Sequence, residues 1–192
     1  AERTALPPGK VSLLNLPAKI VPGQRDHTVG MEGPMLAAEQ ITDALLLEYT
    51  EGRPMPEVGW GRLTSATLTQ VLTLHSLYFE LNDATFYPAQ VQGSNFADHL
   101  LRTIDQSVIG EAGSGAFGVP AQKLIVVSGH DTNIVNVGGL LGVNWWLPGT
   151  QRNPVLPGGA LIVELRRRPQ DGSFVVRMYY ASQTLDQIRN LT

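Results

Sequence analysis

Lys123-Leu124-Ile125-Val126-Val127-Ser128 runs directly into Gly129-His130-Asp131-Thr132-Asn133. Four consecutive apolar residues, most of them β-branched, predict a strand buried on both faces, as at the centre of a parallel sheet. Gly129 lets the backbone turn, and residues 132–141 read as a helix. A strand, a tight turn and a helix in this order point to an α/β layer. In such layers ligands collect at the carboxyl ends of strands, beside helix N-termini. His130 and Asp131 stand at that mouth. The free N–H groups and dipole of the helix start make an anion site there. A histidine beside it can hold a phosphate oxygen. An aspartate can give a proton to a leaving oxygen. Phosphomonoester cleavage needs both. The same Asp or Thr also fits a plain N-cap, and the local spacing leaves both readings open.

Composition narrows the classes. The 192 residues are 43% apolar and 16% charged, which suits a folded core. A net charge of −3 speaks against a nucleic-acid binder that relies on a basic field. No apolar run approaches the ~18 residues of a membrane span, and Ala1-Glu2-Arg3-Thr4 carries no signal-peptide core. Cysteine is absent, which excludes disulfides, thiolate catalysis and cysteine-based zinc sites within this chain. His27, His75, His99 and His130 are scattered without ligand spacing, so neither a metal nor a cofactor is expected.

The rest of the chain divides near residue 118. Residues 1–30 are rich in Pro and Gly and read as irregular or weakly stranded. Pro34 opens a helix that runs to Thr50. Glu51-Gly52-Arg53-Pro54 stops it, and Gly59-Trp60-Gly61 is a tight connection. A second helix starts after Thr64 or Ser65 and runs to about Leu81. A third runs from Ser94 or Asn95 to Ile109. A glycine-rich loop over 110–118 precedes the strand. Residues 161–165 and 174–180 read as a hairpin, and a short helix closes the chain near 184–189. The expected organisation is a mostly helical cap over 1–118 and a C-terminal α/β part over 119–192. Trp60, Trp145 and Trp146 are expected to pack. Arg166-Arg167-Arg168 reads as a solvated strand edge that discourages pairing.

Val127-Ser128-Gly129-His130-Asp131-Thr132-Asn133-Ile134, with Gly138-Gly139-Leu140 after it, resembles the His-Asp signature of the histidine acid phosphatases. The branch it is most similar to is that of bacterial periplasmic phytases and glucose-1-phosphatases. Three further stretches agree in order: Leu45 through Met55-Pro56-Glu57-Val58-Gly59-Trp60-Gly61, Leu74-His75, and Pro157-Gly158-Gly159. Gln183-Thr184-Leu185-Asp186-Gln187-Ile188-Arg189 also fits. The likeness covers about residues 30–190.

The resemblance implies the phosphoglycerate-mutase-like histidine phosphatase fold, here a partial α/β sheet plus most of the helical cap. It implies that His130 binds the phosphate, that Asp131 protonates the leaving alcohol, and that Thr132 adds a contact at the helix N-terminus. It places Asp43 and His75 in the substrate cleft. The family's nucleophile is a histidine in an Arg-His-Gly-x-Arg-x-Pro motif, and this sequence has none; Arg25-Asp26-His27-Thr28 lacks its order and its glycine. The chain also stops short of the cysteine-containing tail usual in the family. It is therefore expected to be a portion of a larger enzyme, periplasmic or secreted, with the N-terminal half of the same protein or a second copy as its partner. Some members carry a basic residue near Gln92 for highly phosphorylated substrates; this sequence has Gln90 and Gln92, which weakens the case for phytate and leaves simpler phosphomonoesters open. The missing nucleophile motivates an alternative, a non-catalytic module that keeps the fold and binds a phosphorylated ligand or a protein.

Overall fold

The computed structural model describes residues 16–23 and 28–192. Most of residues 1–30, and with them Arg25, Asp26 and His27, lie outside the described residues. Strands β1 (Lys19–Pro22) and β2 (Val29–Glu32) pair antiparallel. Helix α1 (Pro34–Thr50) follows with Pro34 in its first turn, where proline forfeits no hydrogen bond. Helix α2 (Ser65–Asn82) begins at a reciprocal cap: Thr67 N–H donates to Thr64 Oγ1 at 3.2 Å, and Thr64 N–H donates to Thr67 Oγ1 at 2.7 Å.

Helix α3 (Phe86–Ile109) starts eight residues before the expected Ser94. Thr85 is its N-cap, so Pro88 falls in the first turn, where it is tolerated. Helix α4 (Asp131–Leu141) and the antiparallel hairpin β3 (Ala160–Arg167) and β4 (Phe174–Ala181) follow, then α5 (Leu185–Asn190). Among the described residues, no helix is long and apolar enough to cross a membrane.

Two core clusters hold these elements. Leu45, Leu46 and Tyr49 of α1 bury themselves against Val58, Leu68, Leu72 and Leu156. Phe79, Val135 and Val155 form the second, with Trp145 against it. Helix α5 is lashed to α1 by polar contacts. Tyr49 Oη donates to Asp186 Oδ1, Arg189 Nη1 donates to the Tyr49 carbonyl at 2.7 Å, and the guanidinium lies 4.6 Å over the Tyr49 ring. Arg189→Ala is expected to lower unfolding stability by about 1–2 kcal/mol, read in urea. An unchanged midpoint would mean that α5 is held without it.

Two expectations are corrected. Residues 123–128 form no strand; they are unladdered and, apart from half-buried Ile125, exposed, with Val126 at 81% exposure. A strand exists only through ladder hydrogen bonds to a neighbouring strand, and among the described residues no strand pairs with this segment; the Leu124 carbonyl accepts instead from Gln122 Nε2 at 2.9 Å. Trp60 does not pack either. It takes a left-handed φ of 58° between Gly59 and Gly61, which throws the indole outward to 81% exposure. Glu48 Oε2 stabilises that turn by accepting from Gly59 N–H at 3.0 Å. Trp146 is exposed as well, whereas Trp145 packs as expected, stacked on Tyr180 at 5.1 Å. Arg166 is the solvated edge residue foreseen, paired with Glu164 at 2.7 Å.

Candidate active site

Helix α4 carries the His-Asp stretch. His130 is its N-cap residue, in an extended conformation, and its side chain is exposed. Its N–H donates to Asn133 Oδ1 at 2.8 Å, which fixes the entry to the helix. Asp131 is half-buried in the first turn, where the helix dipole favours a carboxylate. The start of α4 is less open to an anion than expected. Asp131 Oδ1 accepts from Thr132 N–H at 2.7 Å, and Asn133 N–H donates to the His130 carbonyl at 3.0 Å. Those donors are answered within the chain.

The seating of α4 depends on close backbone approach. A Cβ on Gly139 would lie 2.4 Å from the Ala84 carbonyl oxygen, and one on Gly93 would lie 2.9 Å from Asn136 Cβ. The two glycines let α4 settle onto the α2–α3 turn and the first half of α3. Asp131 is thereby brought toward residues of α1 and α2.

His75 sits on the inner face of α2, 3% exposed, with Phe79 edge-on at 4.8 Å. Burial holds its imidazole below the usual histidine pKa, while Asp43 and Asp131 oppose that shift. The charges of Asp43, from α1, and Asp131, from α4, are thus both felt at His75. His130 and Thr132 lie at the mouth of the same helix.

Three residues of this space carry no signal that the sequence reading used. Glu39 is one turn before Asp43 on α1, and that spacing could have found it. Asp83, the C-cap residue of α2, is 3% exposed and accepts from Asn82 Nδ2 at 3.2 Å. Asn136 lies one turn beyond Thr132, whose carbonyl accepts from its Nδ2 at 2.7 Å. Neither Asp83 nor Asn136 belongs to a motif. Burial is what makes them notable.

The pH dependence of stability has a defined sign. The folded pKa of His75 is lowered from 6.5 by burial. Its contribution is therefore fully present above about pH 6.5 and is lost as pH falls through the folded value. Asp83 runs the other way. Burial raises its pKa from 3.8, so its contribution is fully present below that value and is lost as pH rises through the folded one. Between pH 7 and 5 the urea midpoint of the parent chain should fall relative to that of His75→Gln, which lacks this contribution. Equal slopes would remove His75 as a source of the acid sensitivity.

The sequence profile of the Histidine phosphatase superfamily (branch 2) matches residues 26–181. The chain belongs to that family. Phytase AppA of Escherichia coli (strain K12) is 34% identical over 166 residues, which cover 85% of this chain and 37% of the relative. A glucose-1-phosphatase of Providencia rettgeri is 27% identical over 169 residues, covering 87% and 38%.

Among solved structures, the Klebsiella sp. ASR1 phytase superposes with a TM-score of 0.77 at 25% identity, over 93% of this chain and 43% of its own. The Hafnia alvei phytase in complex with tartrate superposes with a TM-score of 0.76 at 31% identity, over 94% and 43%. The histidine phosphatase fold expected from the Gly-His-Asp signature is therefore present, as a partial α/β arrangement. The chain spans roughly two fifths of these relatives' length.

Proposed function

We propose that this chain is part of an acid phosphatase that hydrolyses phosphate monoesters through a phosphohistidine intermediate. The nucleophile would come from an Arg-His-Gly-x-Arg-x-Pro segment outside these 192 residues. The observation that carries the reading is the family match over residues 26–181, which includes the His130-Asp131 start of α4; the charges of Asp43 and Asp131 felt at the buried His75 are in keeping with it.

In the first step the nucleophilic imidazole nitrogen bonds to phosphorus and the bond from phosphorus to the alcohol oxygen breaks. The proton on Asp131 passes to that oxygen, and His130 holds a non-bridging phosphate oxygen. In the second step water attacks the phosphohistidine and its proton returns to Asp131, or to a neighbouring acid. The phosphorus–nitrogen bond breaks and releases inorganic phosphate. Thr132 supports the site from the first turn of α4, and Asp43 and His75 line the side of the leaving alcohol. No step requires a metal or an organic cofactor.

The unladdered segment 123–128 supports a second part of the proposal. Its exposed apolar side chains and unladdered backbone suit a central strand, completed by the N-terminal half of the same protein or by a second copy. A periplasmic or secreted setting follows from the family resemblance. The alternative, a non-catalytic module that keeps the fold, rests on the missing nucleophile motif; the bonded N–H groups of Thr132 and Asn133 would leave it a protein rather than a phosphate to bind at the start of α4.

The deciding experiment assays p-nitrophenyl phosphate at acidic pH. It uses this chain alone, then this chain mixed with a segment bearing the nucleophile motif. Turnover is expected only in the mixture. Inactivity of a demonstrably assembled mixture would remove the enzyme reading and leave the binding module.

A further inference from the structure

The pairing of β3 with β4 assembles a charge cluster that the linear sequence shows only in part. Arg166 and Arg167 end β3, and Arg168 follows. The register sets Arg177 of β4 opposite Glu164, so Arg177 and Arg166 are diagonal neighbours on one face of the hairpin. Arg167 stands on the other face, opposite Phe174. All four arginines line one shallow hollow of about 710 Å³, together with Val175 and Val176. The hollow thus wraps the end of the hairpin and does not belong to one sheet face.

The carboxylates of the hairpin leave most of this charge unanswered. Residues 160–181 hold these four arginines against Glu164 and Asp171 alone, so the hairpin is net basic on a chain whose formal charge is −3. Glu164 is taken by Arg166 at 2.7 Å. Asp171 is turned into the loop, where its Oδ1 accepts from Ser173 N–H at 3.0 Å and from Ser173 Oγ at 2.7 Å. Arg167 commits only Nε, to the Gly172 carbonyl at 3.2 Å, and its guanidinium lies 5.9 Å from the Phe174 ring. Among the described residues, Arg168 and Arg177 have no ion-pair partner. Phe174 and Val176 are exposed beside them.

We propose that the end of the β3–β4 hairpin is a peripheral docking site for an anionic phospholipid surface, with Arg167, Arg168 and Arg177 on the lipid phosphates and Phe174 seated at headgroup level. Guanidinium forks match phosphate oxygens. An exposed phenylalanine and valine add little to the capture of a soluble anion, but they fit the boundary between headgroups and acyl chains. A basic end on an otherwise acidic chain also orients it end-on toward a negative surface. A nucleic acid would meet that acidic remainder as it wrapped the chain. The contact is reversible and involves no spanning helix. It is independent of the phosphatase reading, whose residues lie on α1, α2 and α4.

The test is co-sedimentation with vesicles, using this chain alone and assembled with the segment that bears the nucleophile motif. The vesicles are phosphatidylcholine, with or without about one third phosphatidylglycerol. Binding is expected only where phosphatidylglycerol is present, and it should vanish at about 1 M salt, where charges are screened within about 3 Å. Arg168→Gln and Arg177→Gln should each weaken it by about fivefold. Phe174→Ser should weaken it by a similar factor, about fivefold, with no change of charge. All three side chains are exposed, so the variants keep the fold, which an unchanged urea midpoint checks. No binding, equal binding to pure phosphatidylcholine, or arginine variants that bind as the parent does would each overturn the inference. Binding unmoved by Phe174→Ser and competed away by inorganic tripolyphosphate would give the arginines to a soluble polyanion. Binding lost on assembly would give the hairpin end to the rest of the protein. Either of these results overturns the lipid assignment too.

Discussion

In the assembled enzyme, Asp131→Asn should lower kcat for a sugar phosphate by about 10²–10⁴-fold, with a much smaller change in KM. Asparagine keeps the size of the side chain and an oxygen that can accept from Thr132 N–H, as Asp131 does at 2.7 Å. It removes the transferable proton. The loss should depend on the alcohol. A p-nitrophenolate leaves without help, so its ester should lose far less than the sugar ester, whose alkoxide is a poor leaving group. Comparing the two kcat ratios isolates proton donation from any general disturbance of the site. Equal losses for both esters would mean that Asp131 acts through structure and not as an acid.

Gly139→Ala should destabilise the fold by about 2 kcal/mol, seen as a lower urea midpoint. The new Cβ would stand 2.4 Å from a main-chain oxygen of Ala84, and a carbonyl cannot swing aside as a side-chain tip can. Either α4 or the α2–α3 turn must move. Both carry site residues, so the same change should also reduce turnover. Gly113→Ala is the control: its Cβ would meet nothing closer than 3.8 Å, and its effect should stay within about 0.5 kcal/mol. A midpoint unchanged in Gly139→Ala would show that the helix seats with slack.

What the sequence makes legible is local. Pro34 and Thr64 mark helix starts because they answer, or do without, N–H groups within one turn. The β3–β4 hairpin is legible because its strands are near in sequence and pair through a short turn, from Ala160 against Ala181 to Arg167 against Phe174. The start of α3 is easily misplaced because Pro88 and Gly93 look like breakers. One sits in the first turn, and the other lies where α4 comes close.

Residues 123–128 show the limit most clearly. Their β-propensity is real, but pairing requires strands that the described residues do not provide, and no composition can supply them. The site divides along the same line. The His-Asp stretch, Asp43 and His75 are expectations of the family signature, and helical spacing from Asp43 points to Glu39. Asp83 and Asn136 become notable only when α4 is laid across the α2–α3 turn, a tertiary fact with no local sign.

The three tryptophans give this architecture an optical handle. Trp60 and Trp146 already face water, so unfolding changes their surroundings little. Trp145 stacks on Tyr180, donates Nε1 to the Pro154 carbonyl at 2.9 Å, and lies where a Cβ on Gly138 would come within 2.8 Å of its ring. The emission change on unfolding therefore comes mainly from one indole lodged against α4. Fluorescence of this chain reports the seating of the helix that presents Asp131.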